Sequence, residues 1–372
     1  MPTFLYGTLQ DKILRDCLIG RETISIGAYL NGYKVVSQRD ALLPALTPAE
    51  GLRAEGLLIT DLSDAEKAVL DVYETSFDYT VKRLPVSAGG HQIEARVYMP
   101  LPSVALSDEL WSFTAWETLQ GEISRQRAVE IAESDPPMDS TRLRQQWHMI
   151  GSRAAARVRA AQDAAPSAVR YDAQAGDYTV LARKPLYGDF FKFCGFELQH
   201  RTFQDSQSPV LNREVMVGVD AALALPYDPV SDCILLVEQI RTGPLIRGAV
   251  NPWSLEPVAG MVDPGETPYE AAARELEEEA SLATVGLEKM FECYASPGGA
   301  TDYFYCYLAL VSLPHPTVYT GGLAEEHEDL RLHVMPFENA MSLIETGEAN
   351  VGPLISMLLW LSRHRSRLRA AA

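Results

Sequence analysis

The stretch that decides the fold of the C-terminal half is GMVDPGETPYEAAARELEEEASL, residues 260–282. Within it, Glu275, Glu278 and Glu279 are three and four residues apart, so a helix would place them along one edge. Like charges at this spacing destabilise an isolated helix, whereas hard divalent cations such as Mg²⁺ prefer carboxylate oxygens. The cluster therefore predicts a divalent-metal site, and a solvated acidic helix face is the alternative.

The same segment carries strong local signals for a helix. Thr267 can act as the N-cap, Pro268 fits the first helical position, and Glu270 completes a capping box. Arg274 lies four residues before Glu278, so the two side chains can pair and keep that carboxylate charged. We therefore predict that a helix begins at Pro268 and presents its acids in a fixed orientation.

A loop is predicted before this helix, because Gly260, Pro264 and Gly265 interrupt regular structure. Such a loop would bring the backbone carbonyl of Ala259 to the same metal cluster. The whole stretch resembles the Nudix box. The match begins at Gly260, continues after five residues with Glu266, and after seven more with Arg274-Glu275-Leu276. Single residues then separate this group from Glu278-Glu279 and from the final Ser281-Leu282. Ser281 stands where that pattern ends in glycine, and a left-handed backbone there costs serine roughly 1–2 kcal/mol.

The resemblance implies an enzyme with an α/β/α sandwich that hydrolyses nucleoside diphosphates linked to another moiety. It also implies Mg²⁺ as the cofactor, with Mn²⁺ as an alternative. The implied metal ligands are Ala259, Glu275, Glu279 and Glu328, and the implied catalytic residues of the helix are Arg274 and Glu278.

The substrate class is indicated by residues outside the box. Pro297 lies sixteen residues beyond Ser281 and precedes Gly298 and Gly299, a position that resembles the ADP-ribose pyrophosphatase branch of the family. Further matches extend over roughly residues 175–365 and include Tyr187-Gly-Asp-Phe190-Phe191, Arg213-Glu214, Val237-Glu-Gln-Ile-Arg241 and Leu323-Ala-Glu-Glu-His-Glu-Asp329. This branch implies cleavage of ADP-ribose to AMP and ribose 5-phosphate, substrate contacts from Gly298 and Gly299, and a homodimer formed through the Nudix domain. A Nudix hydrolase of another nucleotide sugar and a non-catalytic nucleotide sensor are the alternatives.

The acidic loop at 323–329 resembles the loop that supplies a general base and one more metal ligand. On this resemblance Glu326 takes the proton from the attacking water and Glu328 binds metal. Because neighbouring acids can exchange these roles, the assignment among Glu325, Glu326 and Glu328 stays open.

Three further side chains are candidates for substrate binding. Arg241 would clamp the diphosphate, since a guanidinium matches its oxygens in bidentate fashion. A salt bridge from Arg241 to Glu238 or Glu256 at a strand end is the alternative. By resemblance Phe190 stacks on the base with Arg213 nearby, across a dimer from the partner subunit. The alternative for Phe190 and its neighbour Phe191 is burial in the core.

The N-terminal part predicts a small, mainly β barrel with an appended helical region. Strand-like runs occupy residues 3–6, 27–36, 57–60 and 95–98, and one helix fits 63–74 with Ser63 as its cap. From residue 116 the pattern turns helical, is interrupted at 135–137 and ends at a break at 164–167. We therefore predict an α+β domain at 1–165 with its core at 3–115, and a Nudix domain at 166–372.

Two features of the N-terminal part point to chemistry. Tyr6-Gly7-Thr8-Leu9 follows a strand, where backbone N–H groups can bind a carboxylate, and Glu74 lies at a helix end before another strand. Together they resemble the γ-glutamylcyclotransferase-like (AIG2-like) fold. There the YGTL-type loop, here Tyr6, Gly7, Thr8 and Leu9, holds the substrate, and Glu74 would move protons as a γ-glutamyl amine cyclises. The alternatives are a tight turn that needs glycine, a local hydrogen bond or salt bridge for Glu74, and a vestigial activity.

Composition limits the classes of partner. The 372 residues are long enough for two domains, and a formal net charge of −18 argues against binding to nucleic acid or to an anionic membrane. No apolar run is long enough to span a membrane, and the five scattered cysteines suit a reducing compartment. We therefore expect a cytoplasmic enzyme that acts on a small nucleotide diphosphate.

Overall fold

The protein was analysed as a computed structural model that describes residues 1–39, 42–164, 166–185, 187–323 and 328–372. The chain divides into two units, Met1–Glu214 and Val215–Ala372. Within the described ranges, no helix has both the length and the apolar composition needed to cross a membrane.

The first unit is built on a closed β-barrel, as predicted. Its order is β3-β1-β5-β4-β2, and pairing of β2 with β3 closes the ring, while β6 adds to the outside of β2. The barrel interior is filled by buried apolar side chains such as Phe4, Leu58, Val86 and Val97. The strands are β1 (Thr3–Leu5), β2 (Ser25–Gln38), β3 (Pro44–Ile59), β4 (Tyr79–Ala88), β5 (His91–Pro100) and β6 (Leu106–Leu110).

Helices pack against this barrel. The predicted helix at 63–74 is confirmed as α2, with Ser63 as its N-cap in a capping box with Glu66. The predicted helical region after residue 116 is confirmed as α4 and α5, separated near the predicted break at 135–137. The helices are α1 (Lys12–Ile19), α2 (Asp64–Thr75), α3 (Phe113–Trp116), α4 (Glu122–Ala132) and α5 (Ser140–Gln162), with a 3₁₀ turn at Thr8–Gln10 and a π turn at Glu117–Gly121.

The first unit continues beyond α5, past the predicted domain boundary at 165/166. Strands β7 (Tyr178–Arg183) and β8 (Lys192–His200) pair antiparallel, and β9 (Leu211–Val217) runs across the unit border. Buried Arg153 of α5 donates to the Phe190 carbonyl (2.8 Å), and the Lys192 ammonium donates to Gln146 Oε1 (2.9 Å). These bonds attach residues 187–192 to α5, which is why they belong to the first unit. The border between the two units lies elsewhere, after Glu214, and the domain boundary at 165/166 stays a prediction.

The second unit is a three-layer α/β/α sandwich, as predicted. Its open mixed sheet has the order β14-β15-β10-β11-β17-β16, with β12 on β11 and β13 on β10. Apolar residues of α7 such as Leu276 pack on one face, and those of α8 and α9, such as Phe337 and Leu358, pack on the other. The strands are β10 (Asp220–Asp228), β11 (Cys233–Ile240), β12 (Trp253–Glu256), β13 (Val258–Met261), β14 (Gly286–Tyr294), β15 (Tyr303–Leu310), β16 (Thr317–Gly321) and β17 (Leu330–Pro336). The helices are α6 (Thr242–Arg247), α7 (Pro268–Ala280), α8 (Phe337–Thr346) and α9 (Gly352–Ala370).

The buried ion pair between Arg153 and Glu130 gives a test of the packing between α4 and α5. The pair is bidentate, with Nη2 and Oε1 2.6 Å apart, and neither side chain reaches solvent. Glu130→Ala leaves an unpaired buried guanidinium, so we expect the free energy of unfolding to fall by roughly 3–5 kcal/mol. Urea denaturation measures the change. The control is Glu55→Ala, which removes the exposed pair with Arg53 and should cost less than about 1 kcal/mol; equal losses would contradict the argument.

Candidate functional sites

The acidic helix of the second unit, α7, begins and ends as the sequence predicts. Thr267 accepts a hydrogen bond from the Glu270 amide (3.2 Å), the Glu270 carboxylate accepts one from the Thr267 amide (2.8 Å), and Pro268 is the first helical residue. Ser281 ends the helix in the left-handed conformation at φ 52°, and its amide donates to the Glu277 carbonyl (3.0 Å). The serine therefore adopts the backbone turn for which glycine is preferred.

Arg274 joins this helix to the loop before it. Its Nε and Nη2 donate to the two carboxylate oxygens of Glu266 (2.9 and 3.0 Å), and Nη2 also donates to the Met261 carbonyl (3.0 Å). Its Nη1 donates to Glu275 Oε1 (2.6 Å) and to Glu278 Oε2 (2.9 Å). The predicted pairing with Glu278 is confirmed. The bonds to Glu266 were not predicted, although Glu266 is part of the box spacing that signals them.

Glu275 lies against the backbone of β13. A Cβ built on Gly260 would overlap its Oε1, so only glycine lets the carboxylate approach this closely. Burial raises the pKa of Glu275 to about 7, and the neighbouring acids Glu278 and Glu328 act in the same direction, against the opposing effect of Arg274. A positive ion at this carboxylate would therefore stabilise its charged form.

Glu279 is the most deeply buried acid of the helix, at 3% exposure. Its Oε2 accepts a hydrogen bond from the Ala259 amide at 3.2 Å. Burial raises the pKa of Glu279 to about 8, and the charge of Glu275 adds to the effect. The predicted ligands Ala259, Glu275 and Glu279 thus lie together at the junction of β13 and α7.

The donor set suits a hard divalent cation, because it consists of carboxylates whose charge is destabilised by burial and by one another. Glu328 contributes to the raised pKa of both Glu275 and Glu279, and its Oε2 accepts a hydrogen bond from the Leu323 amide (3.3 Å). Among the residues that the structure describes, no three acidic, histidine or cysteine side chains converge closely enough to hold an ion as they stand. Release of Glu275 from Arg274 would free it for that role. Residues 324–327, with Glu325 and the predicted base Glu326, lie outside the described residues.

Arg241 forms the salt bridge that the sequence left as an alternative, with Glu256. Its Nη2 is 2.6 Å from Glu256 Oε2, and Nε donates to both carboxylate oxygens (3.0 Å each). The Arg241 side chain keeps 43% exposure, and its Nη1 makes no hydrogen bond to any described residue. A 310 Å³ pocket lies beside the pair and is lined also by Gly260 and Phe304. Arg241 thus retains a free edge toward this pocket.

The residues predicted to contact the nucleobase of the substrate are exposed. The Phe190 and Phe191 side chains are 54% and 44% exposed, and their rings meet edge to face with centroids 4.9 Å apart. The alternative that they are buried in the core is therefore wrong. This segment is attached to α5 by a polar contact of its backbone and not by the rings. Arg213 is exposed, and its Nη1 donates to its neighbour's carbonyl at Asn212 (2.8 Å). Both residues belong to the first unit, and their contacts with a base stay predictions.

The glycines after Pro297 form a tight turn. The Gly299 amide donates to the Ser296 carbonyl (3.0 Å), and the Gly299 carbonyl accepts from the Met216 amide (2.9 Å). At Gly298 and Gly299 a Cβ would meet no atom within 4 Å, so the turn leaves open space beside the backbone. That space suits the predicted contact with substrate, which stays a prediction.

In the first unit, the Tyr6–Leu9 segment lines a cavity at the end of β1. The cavity measures about 20 Å³, which is room for about one water molecule. A Cβ on Gly7 would overlap the ring of Pro44, so this turn needs glycine. The cavity wall is mainly aromatic and includes Tyr98, which the sequence did not single out.

Glu74 faces the same cavity. Burial raises its pKa to about 8, and the charge of Asp71 adds to the effect. Asp71 itself accepts hydrogen bonds from Arg96 and from the Tyr98 hydroxyl (2.9 Å), whereas the Glu74 carboxylate has no hydrogen bond or salt bridge to any described residue. The alternative of a locally paired helix-end acid therefore finds no partner in the described ranges. The loop and Glu74 that the sequence singled out do lie together.

Comparison with known proteins finds a similarity for each of the two parts. Residues 218–357 match the family model described as "NUDIX domain", and residues 3–117 match the one described as "Gamma-glutamyl cyclotransferase, AIG2-like". The ADP-ribose pyrophosphatase of Escherichia coli (strain K12) is 35% identical over 195 residues, covering 52% of this chain and 91% of that protein. The GDP-mannose pyrophosphatase of Enterobacter sp. (strain 638) is 31% identical over 149 residues, covering 40% and 76%. A solved structure titled as an ADP compounds hydrolase is 21% identical with a TM-score of 0.42, covering 53% of this chain and all of its own.

Gly260 provides a test of the carboxylate arrangement. In Gly260→Ala the new methyl group displaces the Glu275 carboxylate, so we expect the dissociation constant for Mg²⁺ to rise roughly 10- to 100-fold, as when a ligand loses its orientation. Isothermal titration calorimetry measures it. Gly286→Ala is the matched control, because a Cβ there meets no atom within 4 Å. Unchanged Mg²⁺ affinity in Gly260→Ala would show that Glu275 does not bind the ion.

Proposed function

We propose a substrate and a mechanism on the premise that the chain belongs to the Nudix family, as a Nudix pyrophosphohydrolase with an AIG2-like N-terminal domain. The proposed reaction is the hydrolysis of ADP-ribose to AMP and ribose 5-phosphate. The observation that carries it is the pair of carboxylates Glu279 and Glu275, which lie against the backbone of Ala259 and of Gly260 respectively. The ADP-ribose pyrophosphatase relative supports the choice of substrate, because this chain covers 91% of its length.

The positions of Ala259, Glu275 and Glu279 support the roles proposed for the metal site. Glu275, Glu279, Glu328 and the Ala259 carbonyl would hold Mg²⁺ or Mn²⁺, which supplies charge neutralisation at the diphosphate and lowers the pKa of a bound water. Arg274 orients the Glu278 carboxylate by its 2.9 Å bond.

The diphosphate and the attacking water need further groups. The free edge of Arg241 would bind a phosphate oxygen while Glu256 fixes the other edge of the guanidinium. We assign Glu326 as the acceptor of the proton from the attacking water. Gly298 and Gly299 would line the substrate, and Phe190 and Arg213 would contact the base across a homodimer.

A second substrate class is supported by a specific comparison. The GDP-mannose pyrophosphatase relative is 31% identical, so another nucleotide sugar is the alternative substrate. A non-catalytic sensor is less favoured, because a sensor has no need of buried carboxylates whose charge burial destabilises. Catalysis therefore accounts better for the site.

The hydrolase proposal is tested with Glu279→Gln. The substitution removes a metal-binding charge and keeps the shape, so we expect the rate of AMP release from ADP-ribose with Mg²⁺ to fall by roughly 100-fold or more. Chromatography of the products measures it. Glu277→Gln is the matched control on the exposed side of the same helix and should leave the rate unchanged. Equal rates for the two variants would reject the metal role, and cleavage of GDP-mannose without cleavage of ADP-ribose would reject the substrate.

A second activity is proposed for the first unit, on the observation that Glu74 faces a cavity beside the Tyr6–Leu9 turn with no ionic partner among the described residues. The turn would bind the α-carboxylate of a γ-glutamyl amine through backbone N–H groups. Glu74 would accept a proton from the attacking α-amine and return it to the leaving amine as 5-oxoproline forms. The cavity must widen to admit this substrate, since it holds about one water as it stands.

The pH dependence tests this second activity. A base works only when deprotonated, so release of 5-oxoproline should rise with pH through about 8, the pKa to which burial raises Glu74. Glu74→Gln should abolish the release, while Glu94→Gln on the exposed surface of β5 should not change it. Release that persists in Glu74→Gln, or that falls as the pH rises from 6 to 8, would contradict the assignment.

A further inference from the structure

The second unit has a separate cavity on the sheet face that carries α8 and α9. It measures about 410 Å³ and lies over β11, β12 and β17 at the end of α8. We call it the back-face pocket. The residues on which the inference rests are Glu238, Asn251, Trp253, His333, Glu348 and Asn350.

The back-face pocket is distinct from the hydrolase site because side chains alternate along β11. Gln239 and Arg241 both contact Glu256 on the α7 side of the sheet. Glu238, between them, points to the other side, where it contacts His333. The two sites therefore share strands but no side chains.

Charge in the back-face pocket is negative. Glu238 Oε2 accepts hydrogen bonds from His333 Nε2 (2.9 Å) and Arg331 Nη1 (3.2 Å), whereas Oε1 makes none with described residues. Glu348 adds a second carboxylate, whose one hydrogen bond with the described part of the chain is a 3.5 Å contact from the Thr346 hydroxyl. Only Glu238 is paired with the Arg331 guanidinium, which is 62% exposed to screening solvent, and Glu348 forms no salt bridge with a described residue. An anion would be repelled here and a cation attracted.

Trp253 supplies a flat apolar wall. Its side chain is half exposed (51%), and its indole N–H makes no hydrogen bond to any described residue. The Asn251 side chain accepts a hydrogen bond from the Trp253 amide (3.1 Å), which fixes the start of β12. The pocket floor is apolar and consists of Leu255, Met335 and Leu343. A ligand with a flat apolar body can cover this surface and release the water on it.

We propose that the back-face pocket binds a small organic cation in which an amidinium or guanidinium group is joined to a flat apolar body. The cationic group would donate to the Oε1 of Glu238, which makes no hydrogen bond with described residues, and to the Glu348 carboxylate, while the body stacks on the indole of Trp253. Amide oxygens of Asn251 and Asn350 complete the rim. The volume of 410 Å³ is within the range of small-molecule sites. This site is independent of the hydrolase proposal.

The test compares two probes of equal shape on the full chain. Benzamidine carries the cation and the ring, and benzamide is its neutral counterpart. Isothermal titration calorimetry should show one saturable site for benzamidine and at least roughly 10-fold weaker binding of benzamide, the loss expected when charged hydrogen bonds become neutral. Absence of saturable benzamidine binding, or equal affinity for the two probes, overturns the proposal.

Variants then locate the site. Glu238→Gln and Trp253→Phe should each raise the benzamidine dissociation constant, the first by roughly 10-fold or more. Glu345→Gln, on the exposed side of α8 and outside the pocket, is the matched control and should leave it unchanged. Thermal unfolding confirms that each variant is folded. If Glu238→Gln binds benzamidine like the control, or if all three variants lose affinity equally, the cation is bound elsewhere and the proposal fails.

Discussion

The guanidinium of Arg274 is the interaction on which the second unit's site depends. It bonds at once to Glu266 and the Met261 carbonyl on the loop side, and to Glu275 and Glu278 on the helix side. A planar group with donors on each edge can serve both sides in a way that a lysine cannot. Because it fixes the loop against α7, the backbone at 259–261 meets the carboxylates of the helix.

That arrangement is poorly stabilised without a counterion. The same burial that brings Glu275 and Glu279 to the backbone raises the pKa of both groups, and Arg274 offsets this for Glu275 only in part. Functional sites commonly keep such strained electrostatics, which a ligand relieves. The first unit also contains a carboxylate whose pKa is raised by burial, because Glu74 is buried beside Asp71 in a cavity with aromatic walls.

The contacts of the site that the sequence could predict join residues that are close together in the chain. The capping box at Thr267, the left-handed Ser281 and the Arg274–Glu278 pair follow from spacings of a few residues along one helix. The barrel and the sandwich followed from periodicity and resemblance. The sequence could not decide between partners for Arg241, or place Tyr98 beside Glu74, because these contacts join separate strands and helices and leave no fixed spacing in the sequence.

The bonds between α5 and the following segment have a consequence for the part of the chain that lies between the two family matches. The family matches end at residue 117 and resume at 218, so α5 and residues 187–192 lie in neither. Yet the Arg153 guanidinium and the Lys192 ammonium bind across that stretch. Severing the chain between them would leave the Arg153 guanidinium with Glu130 alone and the Lys192 ammonium with the Gly188 carbonyl alone. The stretch between the two family matches therefore supplies two buried polar contacts that hold it together, one from Arg153 and one from Lys192.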